Sequence, residues 1–219
     1  MLRKIAPFIL IIIGIIGFFF LVGMPQAIAF KLLKETTGPI ENGTFIFLFL
    51  GAAFCLWRFL KIHKARLFWL EFGIIFYAMG LRELDPHRVL KDFNFLNGDF
   101  YANPHIHLAF KLFFAVSLFC LFGTFLHFFL RNFPLFINSL KKKQTWTFTA
   151  IGFLAAEFIA STHHKLVYFV FTSFFGVAQE NLGFFVRALE EPFELIAALL
   201  LCLAAIQIPP SSPQYIQSA

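Results

Sequence analysis

The sequence predicts an all-α fold, a polytopic transmembrane helical bundle of about six spans. Three observations carry that prediction. Hydrophobic residues make up 59% of the 219 and charged residues 14%, whereas a soluble domain is near half apolar and about a quarter charged. The apolar residues are gathered into runs of roughly spanning length, close to the ~20 residues that a bilayer core requires. Basic residues without acids lie against the ends of some of these runs, as they do in cytoplasmic loops of membrane proteins. The same composition excludes a water-soluble enzyme, a disordered chain and a nucleic-acid module. No nucleic-acid partner is therefore expected, despite a formal net charge of +6.

The runs fall at about 5–24, 44–61, 66–81, 108–130, 145–163 and 190–208. Each is read as a helix because a backbone in lipid must satisfy its own polar groups. The first run follows Met1-Leu2-Arg3-Lys4 and precedes Ala27-Ile28-Ala29, a pattern shared with secretory signals. It exceeds the ~7–15 residues of a signal core, so an uncleaved first span is expected. The third and sixth runs are short, which predicts helices that extend into the neighbouring charged residues. The stretch 166–177 is apolar but brief, which predicts a re-entrant or interfacial helix, or a helical extension, in preference to a seventh span. One helical domain over 1–208 and a polar Pro/Ser-rich tail over 209–219 complete the organisation. Gly51-Ala52-Ala53 and Ala155-Ala156 are small enough for helices to approach closely. Cys55, Cys120 and Cys202 lie inside apolar runs at no zinc-like spacing and are read as packing residues.

Orientation follows the basic residues. With a cytoplasmic N-terminus, ten fall on the inner side and seven on the outer. The turn at 61–66 and the trio Lys141, Lys142 and Lys143 decide the matter, since both are free of acids and adjoin helix ends. Lys31 and Lys34 run the other way. Both termini are thus expected in the cytoplasm, with the chain in a bacterial inner membrane.

Under this topology most acids join His87, His105, His107, His163 and His164 at the outer face, which predicts a shared polar pocket there. The segment Leu81-Arg82-Glu83-Leu84-Asp85-Pro86-His87-Arg88 ends a helix where Pro86 limits continuation. Its carboxylates and imidazole suit a metal or a proton relay, or else plain ion pairs with Arg82 and Arg88. His105-Ile106-His107, with Lys111 one turn on, offers a His-x-His pair on a strand or loop. Glu157, Ser161 and His164 share one helical face, and a carboxylate as deep as Glu157 is costly in hydrocarbon. Arg187, Glu190 or Glu191, and Glu194 share another face, with Pro192 as a first-turn residue or a kink. Glu71 is the second deep acid. It lies on the same helical face as Arg82 but too far along the helix to pair with it. His63 and His127 read as inner-side or span-packing residues. No nucleophile elbow, zinc-protease helix, P-loop or dinucleotide fingerprint is present. The histidine depths argue against a bis-His haem.

At Arg82-Glu83-Leu84-Asp85-Pro86-His87, followed by Phe100-Tyr101-Ala102-Asn103-Pro104, the chain resembles small uncharacterised bacterial multi-pass inner-membrane proteins with an Arg-Glu-x-Asp-x-His segment. Glu190-Glu191-Pro192-Phe193-Glu194 at the last span is similar too. The resemblance implies an integral inner-membrane protein and no named reaction. In residue types the chain is also similar to membrane hydrolases of the alkaline ceramidase superfamily, which join a Ser, an Asp and three His around zinc. It departs from them in lacking their His-x-x-x-His pair on a late helix and in having fewer spans.

The leading functional expectation is an outer-leaflet pocket that binds a metal or a lipid head group. Its reaction class, if it is catalytic, is metal-dependent hydrolysis of a lipid. The expected ligands, for zinc, are His87, His105, His107, His164 and Asp85. Glu190, Glu191 and Glu157 are the candidate catalytic carboxylates. Arg82, Glu83, Lys111, Arg187 and Glu194 form the surrounding substrate-binding or structural cluster. Two alternatives stand beside it. One is a proton-coupled transporter with Glu157, Lys111 and Glu194 along its path. The other is a non-catalytic membrane assembly subunit whose polar groups fix helix register. The expected partners are membrane lipid and a protein partner or second copy of the chain.

Overall fold

A computed structural model describes residues 2–33, 38–83, 98–175 and 182–209, with backbone alone at 2–4, 26, 27, 30, 64, 163–172, 174 and 175. Among the described residues the regular structure is all helical. The helices are α1 (Leu2–Gly23), α2 (Gln26–Leu32), α3 (Pro39–Lys61), α4 (Arg66–Glu83), α5 (Gly98–Ala102), α6 (Leu108–Lys141), α7 (Thr145–Phe175) and α8 (Leu182–Gln207), with one 3-10 turn at His63–Ala65. Each of the six apolar runs coincides with one of the long helices.

By length and composition three of them can cross a membrane: Ile5–Gly23 within α1, Pro39–Lys61 and Leu108–Lys141. That is fewer than the six expected, and the reason is physical. α4 carries Arg66, Glu71, Arg82 and Glu83 within 18 residues. α8 carries Arg187, Glu190, Glu191 and Glu194 in its first half. α7 opens on Thr145, Thr147 and Thr149 and carries Glu157.

Several element bounds depart from the expected ones. Over 166–175 the chain is the helical extension, one of the two expected alternatives, and no separate re-entrant or interfacial piece, because α7 runs unbroken to Phe175; 176 and 177 lie outside the described residues. α6 continues past 130 to Lys141 and carries Pro134 inside it. At 34 residues it is about 51 Å long. α8 begins at Leu182, the extension into charged residues that its short apolar run predicts, and Pro192 therefore lies well inside the helix and outside its first turn. Lacking an N–H, Pro192 leaves the Ala188 carbonyl without its helical donor.

The chain divides into two compact units, Met1–Gly51 with Ile137–Pro209, and Ala52–Phe136 with Pro210–Ala219. In the first unit α1, α7 and α8 pack against one another. Ala156 and Ala160 of α7 meet Phe193, Ile196, Ala197 and Leu200 of α8, with Leu10 and Ile11 of α1 against them. Small side chains let the backbones approach, the usual basis of helix contact in lipid. Gly152 is such a place. A Cβ there would lie 3.0 Å from Pro7 Cβ and 3.5 Å from Leu200 Cδ1. A second cluster joins Phe18 and Leu21 of α1, Ala29 and Leu33 around α2, and Phe184 and Ala188 of α8. At the far end of α8, Thr149 Oγ1 donates to Gln207 Oε1 at 2.7 Å.

The second unit contains the end of α3, α4, α5 and most of α6. α4 approaches α3 closely at Gly73, where a Cβ would sit 3.2 Å from Cys55 Cβ. On another face, Phe68 and Phe72 lie with their ring centres 5.3 and 5.4 Å from that of Phe128 in α6. Trp69 and Phe76 are fully buried. α5 is anchored by buried Phe100, edge-on to Phe114 at 5.6 Å. Of the cysteines, Cys55 is buried and Cys202 half-buried, as packing residues are. Cys120 instead lies exposed on α6.

A candidate carboxylate–imidazole site

Two polar side chains meet between α4 and α6 in the second unit. Glu71 lies five residues after Arg66, and His127 lies four before Arg131. At 1.5 Å per residue Glu71 sits about 7.5 Å from Arg66 at the start of α4, and His127 about 6 Å from Arg131, which lies inside α6. Phe68, Glu71 and Phe72 recur at the three- and four-residue spacing of one helical face. That face meets Phe128, the neighbour of His127. The aromatic packing therefore sets the register that brings carboxylate to imidazole.

The contact is short. His127 Nδ1 and Glu71 Oε1 are 2.5 Å apart. Glu71 is only 5% exposed, and its second oxygen, Oε2, is buried with no hydrogen-bond partner among the described residues. The His127 side chain is 56% exposed. The pair thus has an open end at the imidazole and a blind end at Oε2. Which of the two groups donates depends on the imidazole tautomer. The nearest charges along the helices are Arg66 on α4 and Arg131 on α6. On α3, which packs against α4, the nearest is Arg58.

The residues singled out by sequence fall as follows. Asp85 and His87 lie outside the described residues, and the side chain of His164 is not described. His105 and His107 lie in the loop between α5 and α6, both exposed. His105 N–H donates to Asn103 Oδ1 at 2.9 Å. His107 Nδ1 accepts from Ala109 N–H at 3.2 Å, which makes His107 a cap on α6. Lys111 Nζ donates to the Tyr101 carbonyl at 2.8 Å and so ties α6 to the end of α5. Arg82 donates through Nη2 (2.7 Å) and Nε (3.0 Å) to Oε1 of its neighbour Glu83. This is the ion-pairing reading of that helix end. Glu157, Arg187, Glu190, Glu191 and Glu194 belong to the first unit. Glu191 is buried and the others are half-buried, and each is engaged by another group. Among the described residues no group of three or more His, Cys, Asp or Glu is placed to hold a metal ion. The expected zinc set therefore finds no support there.

His127 was read as packing and Glu71 as an isolated deep acid. The weak signal that could join them is their similar spacing, five and four residues, from Arg66 and Arg131. Comparison with family models, with characterised proteins and with solved structures finds no match to this chain.

Proposed function

We propose that the chain is an inner-membrane protein of about six spans, with both termini cytoplasmic, that acts as a proton-coupled carrier through the Glu71–His127 pair. The observation that supports this reading is the pair itself: a buried carboxylate with one oxygen on an exposed imidazole and the other unpartnered. An ionisable group in the apolar part of a helix is costly and is retained where protons or ions move. The six helices that match the six apolar runs support the span count. The acid-free turn at 61–66 and the Lys141, Lys142 and Lys143 trio support the orientation.

A pH jump applied to liposomes on a solid-supported membrane tests the reading. Liposomes holding the full chain are expected to give a transient charge displacement, and Glu71→Gln liposomes are expected to match protein-free ones. An undiminished signal from Glu71→Gln overturns it.

One observation favours a second reading, a non-catalytic assembly subunit. None of the most apolar stretch of α6 is buried, which leaves it open to lipid or to a partner's helix. In that case a partner co-purifies with the chain, and Glu71→Gln releases it without any change in charge movement.

A further inference from the structure

The last turn of α3 holds an arginine in aromatic surroundings that offer it no acceptor. The guanidinium carbon of Arg58 lies 5.1 Å from the ring centre of Phe54, 5.1 Å from that of Trp69 and 6.0 Å from that of Trp57. These distances are within the range of cation–π attraction. Among the described residues its Nε is buried without a hydrogen-bond partner, and so is Nε1 of Trp69, a residue 0% exposed. Buried donors are nearly always satisfied in folded proteins. Two orphans in one stack mark a place where an acceptor is missing.

The chain around this stack is basic without relief. From Asn42 to Leu70 there is no acid, while Arg58, Lys61, Lys64 and Arg66 follow one another within nine residues, with His63 among them. Lys61, His63 and Arg66 are exposed. The guanidinium of Arg66 also stacks, 5.8 Å from the ring centre of Phe59. A guanidinium laid on a ring keeps its N–H edge for an oxyanion, and its fork matches two phosphate oxygens.

Beside the basic turn lies an apolar rim. Trp57 is 52% exposed, Leu60 61% and Leu67 44%. Tryptophan at the end of a span sits at head-group depth. A free phosphate ion would gain nothing from such a rim, whereas acyl chains would cover it.

We propose that the α3–α4 turn binds the phosphate of an anionic phospholipid. Arg58 and Arg66 are its direct donors, Lys61 adds field, and Trp69 is a positioning residue that holds the plane of Arg58. The acyl chains lie along Trp57, Leu60 and Leu67. Basic pockets between helices on the cytoplasmic side are a recurrent site for anionic head groups. The proposal rests on the membrane reading of the chain but not on proton exchange at Glu71, so either can fail without the other.

Native mass spectrometry of the purified full chain, titrated with phosphatidylglycerol, phosphatidylcholine or inorganic phosphate, tests it. The first phosphatidylglycerol is expected to bind about tenfold more tightly than phosphatidylcholine. Arg58→Gln and Arg66→Gln are each expected to cut that preference about fivefold, the worth of one basic residue at an anionic surface. Arg58→Lys keeps the charge and recovers only part of the loss, because it has no fork. Lys31→Gln, a change on α2, leaves the preference intact. Arg66 is exposed, so its variant does not put folding at issue. The proposal is overturned by equal binding of the two lipids, by a preference indifferent to Arg66→Gln, or by inorganic phosphate that displaces the lipid at equal concentration.

Discussion

At the residue scale, the energetics of Glu71 and His127 separate a packing contact from a working one. Removing only the imidazole leaves a buried carboxylate with neither oxygen bonded. His127→Ala is thus expected to destabilise the protein by about 1–3 kcal/mol, the usual penalty for an orphaned buried polar group. Replacing both partners by leucine removes the need for the bond, and a buried polar pair exchanged for apolar volume is often neutral or better. Thermal unfolding of His127→Ala, Glu71→Leu and the double leucine variant checks this. The double variant should unfold at a higher temperature than either single one. Half of the pair was legible in the sequence, since Glu71 stands out as an acid between apolar residues. Its partner was not, because a one-dimensional pattern does not say which helices adjoin. His105 and His107 illustrate the converse. Their spacing suggested ligands, but one backbone is held by Asn103 and the other ring caps α6.

At the element scale, apolar run length located the six long helices but not their ends. Hydropathy falls where charges begin, while backbone hydrogen bonding continues through Arg187, Glu190 and Glu191 and through Arg131 to Lys141. The brief run 166–177 could not be told from an interfacial helix, because nothing in its composition records that α7 reaches it unbroken. Close helix contacts were partly legible. Ala156 is fully buried, but Gly152 carried no signal of its own. A Cβ there meets the rigid Pro7 ring at 3.0 Å. Gly152→Val is therefore expected to cost about 1–3 kcal/mol by overpacking. Gly17→Ala, with nothing within 4 Å of its Cβ position, should be neutral or stabilising by up to about 1 kcal/mol. Unfolding of the two variants in one detergent compares them. Pro134 breaks the hydrogen bonding of α6 at the Leu130 carbonyl and is exposed, so its replacement loses no packing. Pro134→Ala should recover up to about 3 kcal/mol of local helix stability, read as slower hydrogen exchange over 128–136.

At the scale of the whole molecule, 59% apolar residues gathered in long runs already pointed to an all-helical chain, and three of its described helices are long and apolar enough to cross a membrane. The outer pocket of histidines and acids was an inference from topology, and topology does not specify side-chain partners. Among the described residues it reduces to caps, ion pairs and engaged carboxylates. The site that emerges lies nearer the other, basic ends of α4 and α6. The exchange we propose for this pair needs no third ligand, only a proton that enters from the exposed side of His127. Infrared difference spectroscopy of the full chain in lipid, recorded between two pH values, tests that claim most directly. A carboxylic C=O band that appears on acidification, vanishes in Glu71→Gln and shifts in His127→Ala is the predicted result. A band unchanged by Glu71→Gln, or no band at all between the two pH values, would contradict it.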